Sequence, residues 1–153
     1  MHKRARSWGN WLAPAIILLI LGAGVASFAG PGQSQGDKHS LKNDVSELKS
    51  RAGTGRLVAE QALAGNLTRN FVEAQAEQMR KGVAQTRDKL TPEQFGPELS
   101  AQVLQAADLA RRLEGALNSL RGAGADRQAA ESARKNLAGL FEELSRLEED
   151  LKE

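Results

Sequence analysis

Few side chains in this 153-residue chain are of a type that does chemistry, and those few are scattered. Cysteine and tyrosine are absent, which excludes disulfides, thiolate metal sites and redox thiols. Beyond the N-terminal region there is one histidine, His39, and one methionine, Met79. A catalytic or ligand role for His39 needs partners converging on it, and Asp37-Lys38-His39 offers none, so it reads as a loop residue. The acidic clusters Glu142-Glu143 and Glu148-Glu149-Asp150 could be imagined as acid–base pairs or a calcium site. Adjacent residues on a helix diverge, however, and hard cations want a loop that wraps oxygens around the ion. A solvated helix face is the expectation for them, although acidic residues near a helix C-terminus oppose its dipole. Asn66-Leu67-Thr68 matches a glycosylation sequon by chance in what reads as helix. No catalytic, cofactor-binding or metal-ligating residue is assigned, no cofactor is expected, and no enzyme activity is expected.

Nucleic acid is not an expected partner either. The net charge of +2 comes from Lys3, Arg4 and Arg6, without which 18 basic residues face 19 acidic ones. Phosphate-backbone binding needs a basic face, and stacking on bases needs aromatics. After Phe28 only Phe71, Phe95 and Phe141 remain of the latter.

The elements that must position any site begin with a targeting segment. Residues 1–10 are basic, and no charge occurs from Ser7 to Gly36. Residues 11–29 as a helix would span about 28 Å, close to a hydrocarbon core of about 30 Å. Trp8 and Trp11 suit interfacial anchors, and the basic residues place the N-terminus in the cytoplasm. A single-pass signal-anchor in the cytoplasmic membrane is expected, with a cleaved signal peptide ending at Ser27-Phe28-Ala29 as the competing reading. Either one exports the remainder to the periplasmic side. Residues 30–40, opening with "GPGQSQGD", form a flexible linker.

Residues 41–153 are expected to be an all-α, antiparallel three- or four-helix bundle or helical hairpin with coiled-coil-like seams. Apolar positions step by three and four, and nothing alternates with period two. Leu41, Val45, Leu48 and Ala52 make a short first stripe that "GTG" at 53–55 interrupts. A long segment over 56–90 follows, whose seam drifts near Gly65-Asn66, where the helix bends or changes partner. Two unbroken heptad seams come next: Leu99, Val103, Ala106, Ala110, Leu113, Leu117, Leu120, and Ala130, Ala133, Leu137, Leu140, Leu144, Leu147, Leu151. "RGAGAD" joins them, with Gly122 suited to a left-handed position and Asp126 to an N-cap. Folding at mid-loop sets Leu117 opposite Ala130, Leu113 opposite Ala133, Ala110 opposite Leu137 and Ala106 opposite Leu140, with residues 72–90 as the third member. Leu104, Leu109 and Phe141 fall off the seams and leave apolar surface for self-association or a protein partner.

"KLTPEQFGPELSAQV", residues 89–103, reads as a corner: Thr91 as N-cap, Pro92 at the first helical position, Gln94 completing a capping box, and Pro97 starting the next helix. Leu90-Thr91-Pro92-Glu93-Gln94 also resembles the LTxxQ motif of small exported helical proteins of the CpxP/Spy type, and "VEAQAEQM" at 72–79 is similar to the helix ahead of it. The resemblance covers residues 66–95. This chain has one copy of the motif where the family usually has two, and it lacks the His and Met ligands of the metal-sensing relatives. It implies a periplasmic chaperone or an envelope-stress or metal-resistance regulator. The residues themselves point to a membrane-tethered extracytoplasmic helical scaffold or accessory protein acting through its helical seams, with the chaperone or regulator as the alternative.

Overall fold

The computed structural model describes residues 37–123 and 126–152; the expected membrane segment and most of the linker lie outside them. Four helices fill the described chain: α1 (Lys38–Leu63), α2 (Arg69–Lys89), α3 (Ser100–Gly122) and α4 (Arg127–Asp150), with a 3₁₀ turn at Pro97–Leu99 leading into α3. None of these helices is long and apolar enough to cross a membrane.

Each start has a local cause. The Asp37 carboxylate accepts the Ser40 N–H at 2.7 Å, Thr68 Oγ1 accepts that of Phe71 at 3.4 Å, and Asp126 accepts that of Gln128 at 2.8 Å. The Asp126 cap is the one the sequence pattern calls for. His39 belongs to the first turn of α1, so the linker ends at Asp37 and not at residue 40. Asn66-Leu67-Thr68 is the connection between α1 and α2, and its threonine is the cap.

The four rods form a ring: α1 packs chiefly on α4, α4 on α3, α3 on α2, and α2 closes on α1, with a smaller contact between α1 and α3 across the core. Short connections make sequence neighbours antiparallel. Cross-helix pairs agree, with Arg121 reaching Glu77 while Arg87 reaches Glu114, and Lys49 pairing with Glu148. Every seam residue named for α3 and α4 is buried, as are Leu41, Val45, Leu48 and Ala52 of α1.

Several expectations give way to packing. "GTG" at 53–55 does not interrupt a helix; it lies inside α1, which runs unbroken for 26 residues. Its glycines are contact points. A Cβ at Gly55 would lie 3.0 Å from a Leu117 methyl and 3.3 Å from both Leu137 methyls, and one at Gly53 would lie 3.3 Å from the Phe141 ring. Helix propensity is given up there so that α1 can approach α3 and α4 closely. The true break is at 64–68, where Gly65 takes φ +74 and the chain reverses. Gly122 does not adopt the left-handed conformation expected of it; it is the last residue of α3, and right-handed Ala123 caps the helix.

The α3–α4 hairpin also closes in a different register. Leu117 and Leu137 meet at the level of Gly55, and Arg112 pairs with Glu143. That is one heptad further along α4 than Leu117 opposite Ala130. A heptad slip keeps every seam residue on the seam, so the seam pattern admits both alignments. The small residue that lets two leucines share a layer comes from α1, and the start of α4 is left for α1, where Arg134 lies near Glu60.

At the corner, Thr91–Phe95 is a pair of tight turns, with Gln94 N–H on Thr91 O and Phe95 N–H on Pro92 O. No capping box forms at Thr91, because no helix follows it; the chain continues to Pro97, which does open the 3₁₀ turn. Phe95 and Leu99 are buried and tie the corner to the core. Of the apolar residues expected to stay exposed, Leu109 is buried and Phe141 lies half-buried over Gly53, while Leu104 remains 57% exposed.

Candidate functional site

A shallow groove of about 420 Å³ runs along the outer face between α3 and α4. Its floor is Ala116 and Leu140, both buried members of the core. At its waist both walls are glycine, Gly115 from α3 and Gly139 from α4, and a Cβ added at either would meet nothing within 4 Å. A glycine in an exposed helix interior is about 1 kcal/mol less favourable than alanine. Gly53 and Gly55 recover that through close contacts; Gly115 and Gly139 have no such intramolecular return.

One end of the groove is closed by Arg112 and Glu143, a two-pronged pair with both N···O distances at 2.6 Å. The hydrogen bonds from Arg112 hold the Glu143 carboxyl below its ordinary range, and Glu143 raises the guanidinium in turn. The other end carries Ser119, Lys135 and Asn136. Ser119 Oγ donates to Gly115 O at 3.1 Å, so its hydroxyl is spent on its own helix. Glu131 is taken by Arg134 at 2.7 Å, and Lys135 has no ion pair among the described residues. A paired guanidinium, an ammonium, a carboxamide and a back-bonded hydroxyl around an apolar floor are suited to recognising a surface. No nucleophile here faces a base.

No family model, no curated protein and no solved structure matches this chain. Any functional reading therefore stands on its residues alone.

The chemistry-bearing residues of the sequence do not converge. His39 is exposed at the start of α1, while Met79 is buried in α2. Among the described residues no three of His, Asp and Glu gather as a metal would need. The acidic clusters split, as adjacent helix residues must: Glu143 turns to Arg112, Glu148 to Lys49 on α1, and Glu149 to Lys152. At the end of α4, Glu148 bridges to α1 and Glu149 pairs with Lys152, so two of its three acidic residues are compensated despite the helix dipole. The groove itself was missed from sequence. Its signal was available in Gly115 and Gly139, which interrupt solvent-facing positions of two strong heptad helices without any turn nearby.

A second charged cluster locks α2 to α3. Glu77 faces Arg80 at 2.9 Å, Arg121 at 3.5 Å and Lys81 at 3.8 Å, and hydrogen bonding from Arg80, then the surrounding positive charge, holds its carboxyl at about 2. The Arg87–Glu114 pair at 2.8 Å continues the ladder. Its charges are compensated within the ladder, which leaves little for a ligand.

Proposed function

We propose that this protein is a membrane-tethered helical scaffold or accessory protein, held by residues 11–29 with its bundle outside the cytoplasmic membrane, and that it works by presenting surfaces and not by catalysis. The observation that supports this reading is the α3/α4 groove: an apolar floor, open glycine walls and a charged rim, in a fold where the helix-interior glycines Gly53 and Gly55 are instead used for internal packing. The uncharged run before Asp37, with basic residues only ahead of it, supports the tether and the orientation.

Export is tested with Gln78→Cys, on an exposed turn of α2, in a chain that has no other cysteine. Labelling by an impermeant maleimide in intact cells is the expected result, and labelling only after lysis overturns the topology. The scaffold role is tested by a photo-reactive residue at Ser119. A specific adduct that disappears in Gly139→Leu supports it. Suppression of a client's thermal aggregation by the full chain, unaffected by Gly139→Leu, would favour a chaperone of the LTxxQ kind.

A further inference from the structure

We infer that a second copy of this chain docks on α4, antiparallel, with the two Gly139 residues at the crossing point. The inference deepens the scaffold reading by naming the occupant of the groove, and it rests on charge complementarity as well as shape. Lys135 lies four residues before Gly139 and Glu143 four residues after it, on the same exposed face. An antiparallel copy centred on Gly139 sets Lys135 of each chain against Glu143 of the other. One turn further out the same operation sets Ser132 against Arg146, so no like charges meet between the two α4 helices at these positions. A self-complementary patch of this kind is what a two-fold interface requires.

Three observations favour this occupant. Lys135 has no ion pair among the described residues, whereas Glu143 is already held in place by Arg112, so the incoming ammonium meets a fixed carboxylate. The absence of side chains at Gly139 and, at the same level of the groove, Gly115 lets a helix backbone come close to the Ala116–Leu140 floor. The exposed surface of α4 carries no large apolar residue that would call for a strongly hydrophobic partner; Leu57 and Leu104, the large exposed apolar residues among those described, lie on α1 and α3.

The test uses the full chain in membranes or detergent. Gly139→Cys is oxidised and compared with Leu57→Cys, which is exposed on α1 away from the groove. A disulfide-linked dimer for Gly139→Cys at several times the yield of Leu57→Cys is expected. Adding Lys135→Glu should lower that yield at least fivefold, and adding Lys135→Arg should keep it. Because open space surrounds Gly139, Gly139→Leu should leave the melting temperature of the bundle unlowered while its bulk abolishes self-association of the full chain, a divergence that simple misfolding does not produce. Equal cross-linking at the two positions, none at Gly139→Cys, or indifference to Lys135→Glu overturns the docking. The scaffold reading is decided separately by the Ser119 adduct.

Discussion

A methyl group added at Gly55 would sit 3.0 Å from Leu117 and 3.3 Å from Leu137, while one added at Gly115 would touch nothing. The two positions share a residue type and a helical backbone, so replacing each by alanine separates propensity from packing. Gly115→Ala should stabilise the fold by about 1 kcal/mol. Gly55→Ala gains the same propensity but forces two core leucines apart, and overpacking costs about 1–3 kcal/mol. Chemical denaturation should therefore place Gly55→Ala about 1–3 kcal/mol below Gly115→Ala. Asp44 gives a second residue-scale prediction. Burial, only partly offset by Lys89 and reinforced by Glu47, raises its carboxyl from 3.8 to about 6. Below the unfolded value both states are protonated and Asp44 is neutral in effect. As pH rises from 3.8 the unfolded state ionises first while the native state keeps its proton, so stability falls between about pH 4 and about pH 6 and the full destabilisation is present above that. Asp44→Asn should accordingly raise the melting temperature at pH 7.5 and leave it unchanged near pH 3.5.

At the scale of elements, periodicity carried a great deal. The seams of α3 and α4, the Asp126 cap and the antiparallel hairpin follow from apolar spacing and one short polar connection, because a heptad stripe has a single face to bury. Three things did not follow. "GTG" was opaque because glycine weakens a helix in isolation, and only the neighbouring ring of Phe141 and methyls of Leu117 and Leu137 show why it stays helical. The hairpin register was ambiguous by one heptad, since Leu117 meets a seam residue whether Ala130 or Leu137 lies opposite. The groove was invisible because its defining feature is missing side chains. The register is open to measurement through Arg112 and Glu143, which interact only in the observed alignment. A double-mutant cycle to alanine should return a coupling of about 0.5–1 kcal/mol, at the upper end for an exposed pair because the geometry is two-pronged. No coupling would place the helices in the other register.

For the whole molecule, what matters is that the ring closes between its first and last helices. α1 makes its main contact with α4, the helix furthest from it in sequence, and the Lys49–Glu148 pair lies across that joint. The α1 stripe Leu41, Val45, Leu48, fully buried, thus depends on residues that the chain supplies last. Local hairpins can form early at little entropic cost, but α1 is held in place only when the end of α4 arrives. Ending the chain after Ser145 removes the buried side chains of Leu147 and Leu151 and the partner of Lys49. Two buried leucines are worth about 3–6 kcal/mol, which is a large share of the 5–15 kcal/mol typical of a small domain. For a fold of this size each kcal/mol shifts the melting temperature by several degrees. Circular dichroism should therefore show the truncated chain melting at least about 10 °C lower. Because α1 is released at the same time, hydrogen exchange should quicken across residues 41–52 as well as at the new C-terminus, and protection of 41–52 unchanged from the intact chain would show that α1 is held by α2 instead.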